Sequence, residues 1–175
     1  MVTKRIICLI LTGIFIFSCA LFEDYPYDKK ALTYKNKFVF DNQFRMDGMY
    51  LMERDFGGYG VRYFFQNGSS HTEGTNEKIG LECFQIPSHA RKAPYAWGYF
   101  IVEDNILKAQ TYDPGSLNYS TKYRVVEQWA EIVNDTTLHF FKGIDSNGKS
   151  SKLDKTFHFR HCENKPDSTN ILMRD

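Results

Sequence analysis

Trp97-Gly98-Tyr99-Phe100-Ile101-Val102-Glu103-Asp104-Asn105-Ile106-Leu107-Lys108-Ala109-Gln110-Thr111-Tyr112-Asp113 is the stretch that decides the fold. Two runs rich in aromatic and β-branched residues flank Asp104-Asn105, a dipeptide suited to a tight turn, so residues 95–113 read as an antiparallel hairpin. Trp97, Tyr99 and Ile101 share one face of the first run. In the second, Ile106, Lys108, Gln110 and Tyr112 alternate with Leu107, Ala109 and Thr111.

The same texture extends in both directions. Upstream lie runs over residues 45–54, 59–66 and 69–73; downstream come 121–133, 136–144 and 155–162. Gly, Asn, Asp and Pro clusters separate them, at Phe56-Gly57-Gly58, Asn67-Gly68, Pro114-Gly115-Ser116, Asn134-Asp135 and Asp145-Ser146-Asn147-Gly148. Asn67-Gly68 tolerates positive φ at both positions, which predicts a type I′ turn. Residues 78–86 fit neither the helical nor the strand period and read as either a strand or a short helix. Residues 87–94, with His89, Arg91 and Lys92, read as a loop: a plain connection, or a rim over whatever the sheet encloses. No long helix is in view. The reading is all-β, an antiparallel up-and-down meander of about eight strands. Closing first on last removes both exposed edges and gives a barrel; a two-sheet β-sandwich is the alternative.

The N-terminus sets the context. Lys4-Arg5 precedes the uncharged run 6–17 and then Ser18-Cys19, the layout of a secretory signal peptide. As a helix that run reaches roughly 18 Å, against the ~30 Å of a bilayer's hydrocarbon core, so it is read as a leader rather than a membrane span. Residues 1–18 are read as the signal peptide, 19–44 as lead-in and tether, and 45–175 as the barrel domain. Removing the leader takes away two bases and no acid from a chain of formal charge +1, so the remainder is near neutral and nucleic acid is not expected as a partner. Of four cysteines, Cys8 leaves with the leader. Cys83 and Cys162 either pair, closing a long loop in an oxidising envelope, or stand apart as small buried apolar residues.

Catalytic signatures are missing: no Gly-x-Ser-x-Gly elbow, His-Glu-x-x-His helix or phosphate-cradling glycine loop occurs. Neither catalytic residues nor a cofactor are assigned. His158-x-x-His161-Cys162, with Cys83 and His139, is the densest group of metal-ligating types, but residues three apart on a strand point to opposite faces, so no metal site is assigned. Glu53, Glu82, Glu127 and Glu131 sit on separate runs. Aromatic residues make up 16% of the chain. Tyr50, Tyr63, Phe65, Trp97, Tyr99, Tyr112, Tyr123, Trp129, Phe157 and Phe159 line a pocket if the barrel is hollow and form plain core if it is filled.

Several stretches carry a resemblance. Ile16-Phe17-Ser18-Cys19 resembles a bacterial lipobox, which implies that Cys19 becomes an acylated, lipid-bearing N-terminus that anchors the chain in a membrane. Met46-Asp47-Gly48-Met49-Tyr50, Tyr63-Phe64-Phe65-Gln66-Asn67-Gly68, the Trp97 to Asn105 strand and turn, Asn134-Asp135-Thr136-Thr137 and Lys165-Pro166-Asp167-Ser168-Thr169-Asn170 together resemble small Bacteroidetes lipoproteins with a lipocalin-like, calycin-type barrel. That resemblance implies a lipid-anchored protein of the bacterial cell envelope, at the outer membrane. Glu23-Asp24 is similar to the acidic pattern that accompanies surface exposure in such lipoproteins. Two functions follow as expectations. One is a non-enzymatic binding module for a small hydrophobic or amphipathic ligand. The other is an accessory subunit or inhibitor that presents residues 87–94 or 114–120 to an envelope protein or glycan partner.

Overall fold

A computed structural model describes residues 27–39, 42–76, 83–113 and 123–173. The leader, Cys19, Glu23-Asp24, Glu82 and the loop 114–120 lie outside the described residues. Eight strands follow in chain order: β1 (Gly48–Glu53), β2 (Tyr59–Phe64), β3 (Ser69–Thr75), β4 (Trp97–Glu103), β5 (Ile106–Asp113), β6 (Arg124–Asn134), β7 (Thr137–Ile144) and β8 (Ser150–His161). Each pairs antiparallel with its neighbour and β8 returns to β1, so the sheet is a closed barrel and not a sandwich.

Local chemistry accounts for most of the turns. Asp104 and Asn105 both have positive φ, 49° and 65°, and join β4 to β5 in the twist that a two-residue type I′ loop needs. Asn67-Gly68 departs from the expected type I′ turn. Only Gly68 is left-handed, at φ 77°, while Gly68 N donates to Phe65 O at 2.9 Å and Phe65 N donates to Ser69 O at 3.0 Å. This is the three-residue loop, a type I turn followed by a left-handed glycine. The Asn67 side chain stabilises it by accepting from Ser69 N at 3.1 Å and from Ser69 Oγ at 2.7 Å, and Asp145 to Lys149 repeats the pattern around Gly148.

Three other expectations are corrected. β8 starts at Ser150, five residues before the expected 155, because its exposed polar half pairs with β7 through Gly143 and Ile144 and shows no apolar alternation. Residues 83–86, the described part of 78–86, form neither strand nor helix. The expected loop 87–94 contains a single-turn helix α1 (Ser88–Lys92), followed by a 3-10 turn Pro94–Ala96.

Two apolar clusters sit on the two faces of the sheet. The inner one fills one end of the barrel with Tyr50, Phe64, Phe100, Leu107, Leu138, Phe140 and Phe157, all buried. Phe38 and Phe44 of the lead-in close that end, their rings 4.4 Å and 5.9 Å from the ring of Phe100. The tether read over 19–44 therefore includes part of the core. The outer cluster lies on the outward faces of β1–β5 under a cover made of residues 27–35, 83–96 and 162–172. Cys83 and Cys162 are joined as a disulfide, Cα atoms 5.3 Å apart, which ties that cover to the end of β8.

A candidate ligand-binding lumen

Of the ten aromatic residues considered for a pocket wall, only Tyr50, Phe157 and Phe159 point into the barrel. Tyr63, Phe65, Trp97, Tyr99, Tyr112 and Tyr123 belong to the outer cluster, and Trp129 stands outside between Lys108 and Lys142, their Nζ atoms 4.7 Å and 4.0 Å from its ring. The reason is visible in their polar ends. Trp97 Nε1 donates to Ala90 O at 2.9 Å, Tyr63 Oη to Phe84 O at 2.6 Å and Tyr112 Oη to Asp28 O at 2.5 Å. These rings fasten the cover to the outer wall, each pairing buried apolar bulk with a satisfied donor. The segment 87–94 is likewise held on the outer wall, through Ala90 and Ala93.

The lumen itself is asymmetric. Its sealed end is the aromatic floor described above. Toward the opposite end the inward positions are small or polar: Gly60 stands beside Gly74 across β2 and β3, Arg62 beside Thr72, Thr111 beside Val126, and Gln128 between Ala109 and Gly143. Met52, Gly60, Arg62, Thr72, Thr111, Val126, Gln128 and Leu153 all keep partial contact with solvent, whereas the floor residues keep almost none. β1 pairs with β8 only from Gly48 to Leu51, and beside that seam a cleft of about 410 Å³ lies on the outer surface, lined mostly by the outward-facing Leu51, Glu53, Tyr59, Thr156, His158 and Arg160.

Arg62 lies at the junction of floor and open half. Its guanidinium carbon is 4.1 Å from the ring centre of Phe140 and 5.1 Å from that of Phe157, and one Nη donates to the carboxamide oxygen of Gln128. β2 and β6 are not neighbours, so this bond crosses the lumen and fixes the side chain inside it. The Nε atom is cut off from solvent and has no partner, and burial pushes the guanidinium pKa down to about 10. Toward the mouth, an Arg54 Nη lies 2.9 Å from where a Cβ on Gly74 would stand, so the glycine leaves room for that side chain.

A second cleft, of about 730 Å³, opens at the sealed end around Arg45, Asp47, Phe65, Asp135, Lys165 and Asp167. Burial depresses the Lys165 pKa to about 8, but its ammonium already donates to Met46 O and to Phe64 O, and stands 4.4 Å over the Phe65 ring. Its protons hold the tail against the barrel, which makes it a structural lysine. Unfolding restores the ordinary value of 10.5, so the unfolded chain binds the extra proton between about pH 8 and 10.5 and stability rises with pH across that window. Burial raises the phenols of Tyr50, Tyr63 and Tyr112 above their usual 10. Their contribution is complete below about pH 10 and is lost above it. A thermal midpoint that climbs from pH 8 to about 10 and then falls is expected in scanning calorimetry; a midpoint that declines steadily from pH 8 contradicts the burial of Lys165.

His158 and His161 face opposite sides of β8, as the spacing requires. His161 Nδ1 meets Asp47 at 3.2 Å and His139 Nε2 meets Asp154 at 3.0 Å. Among the described residues no three His, Cys, Asp or Glu side chains gather as a metal site, and no helix is long and apolar enough to cross a membrane. Glu127 faces outward, accepting from Gln110 Nε2 at 3.0 Å and from the Trp129 indole. Compared with protein-family models, curated proteins and solved structures, the chain matches none of them.

Sequence reasoning missed Arg62. Its only trace is phase: between Gly60 and Phe64, it sits on the face that the floor residues occupy. That phase has no meaning until the inward face of β2 is known.

Proposed function

We propose that this chain is a non-enzymatic binding module, anchored by lipid in the bacterial envelope, that holds one small amphipathic molecule in the open half of its barrel. The anchor rests on the leader and Cys19 in the sequence. Binding rests on one observation: the inward face is sealed with aromatics at one end and left small, polar and partly wetted at the other. Such a space gives an apolar body the inward Met52, Val126 and Leu153 side chains and gives a polar head the Arg62 and Gln128 donors beneath them. Access comes from the mouth, where Gly60 and Gly74 carry no side chain.

The test uses 1-N-phenylnaphthylamine, an uncharged fluorophore that brightens and shifts to the blue in apolar surroundings. Saturable binding at one site per chain is expected. Gly60→Phe should weaken it about tenfold or more, the effect expected when a ring's worth of apolar contact area is taken from the ligand. The atoms nearest a Cβ at position 60 are side-chain carbons of Met52 and Phe157, at 3.4 Å and 3.5 Å, so the new side chain starts without a backbone clash; circular dichroism of the variant checks that the barrel is kept. No saturable binding, or binding that Gly60→Phe leaves intact, overturns the proposal.

A further inference from the structure

The charge carried by the lumen narrows the ligand class. Arg62 has five N–H donors, of which the neutral carboxamide of Gln128 accepts one. Among the described residues no carboxylate forms an ion pair with it. A guanidinium set into a barrel interior without an opposite charge is costly. Lying over Phe140 and Phe157 offsets part of that cost, since ring faces attract cations. If the position served only to fill space, methionine or leucine would pack on the same rings with no desolvation at all. The other inward side chains do not supply the missing charge. Lys155 shares the face of Phe140, and Arg54 reaches over Gly74. The inward acid is Asp113, which stands at the rim directly opposite Arg124 in the β5–β6 register. The open half is thus electropositive, and its deepest cation sits directly on the apolar floor.

We infer that the ligand is an amphipathic anion, an oxyanion head of carboxylate type on an apolar body, with Arg62 receiving the head and the partly exposed inward side chains Met52, Val126 and Leu153 receiving the body. The inference rests on the binding reading above and assigns the chemistry of that same lumen. The planar fork of arginine pairs with a carboxylate through two parallel N–H···O bonds, which a lysine in its place lacks. A head seated there pairs the cation. Rim cations Arg54 and Lys155 draw an anion toward the mouth.

Displacement of phenylnaphthylamine separates the two readings. Dodecanoate, dodecanol and inorganic phosphate are titrated against the probe-loaded protein at fixed ionic strength. Dodecanoate is expected to compete at least about tenfold more strongly than dodecanol, the factor that a charge-assisted bidentate pair supplies. Phosphate, having no tail, should fail to compete. In Arg62→Gln the ratio of dodecanoate to dodecanol competition should fall to about one, and Arg62→Lys should keep only part of the preference. Equal competition by dodecanoate and dodecanol in the unmutated chain overturns the inference and leaves the binding reading standing. Displacement by phosphate as strong as by dodecanoate overturns the apolar-body half of it. Failure of the probe itself to bind removes the underlying reading. Because the first comparison needs no variant, it decides even if Arg62→Gln does not fold.

Discussion

Phe100→Ala is expected to lose about 3–5 kcal/mol of stability, the range for deleting a fully buried ring, while Val126→Ala loses under about 1 kcal/mol. The contrast follows from where the two residues sit along one lumen. Phe100 is wholly buried on the floor, with ring centres 4.4 Å from Phe38, 5.0 Å from Phe64 and 5.9 Å from Phe44. Removing it opens a cavity that the surrounding strands, locked by their ladders, cannot close. It also frees the plug, since Phe38 and Phe44 lose the ring they lean on. Val126 faces the same lumen beside Thr111 but keeps contact with solvent, so truncation there removes little packed surface. Urea unfolding of the two variants measures the difference. Equal large losses at both positions would mean that the barrel is packed from end to end, and the binding reading would have no space to stand on.

Loss of the Cys83–Cys162 bond is expected to lower stability by roughly 4 kcal/mol, the chain-entropy value for a closed loop of this length. The two cysteines are 79 positions apart, and the loop between them holds β4, β5, β6, β7 and the whole of β8. Cross-linking it removes many conformations from the unfolded chain. In the folded chain the bond anchors the cover, because Cys83 precedes Phe84, whose carbonyl accepts from Tyr63, and Ala90, whose carbonyl accepts from Trp97. The double variant Cys83→Ala/Cys162→Ala, compared by urea unfolding with the oxidised protein, measures the loss. Hydrogen exchange should show faster exchange in residues 83–96 than in β5–β7. A reduced protein as stable as the oxidised one contradicts this, as would two reactive thiols in the denatured unreduced chain.

The hairpin chemistry was legible residue by residue. Asp104-Asn105 and the glycines of the tight turns need particular backbone conformations, and those needs are met within a few residues of chain. Strand ends were less legible where a strand is polar on both sides, as in the first half of β8, because hydrogen bonds to β7 hold it there and they leave no mark in the side-chain pattern. The aromatic wall was misplaced for a related reason. Period-2 alternation says which residues share a face, as Tyr63 does with Phe65 and Trp97 with Tyr99, but both faces of β1–β5 are apolar here. Nothing local distinguishes a ring that points into the lumen from one that holds the cover.

Sequence by itself determined the class of this protein: about eight strands in hairpin order, and where most of the turns between them fall. Each of these is a local property, written in runs of ten residues or fewer. Only the tertiary structure decided which face turns inward, that Phe38 and Phe44 close one end, and that Arg62 stands in the lumen with Gln128 as its partner from a strand that is not its neighbour. Those facts depend on bringing β2, β6, β7 and β8 around a common axis. Contacts across a lumen join residues far apart in the chain, and their geometry exists only once the barrel has closed.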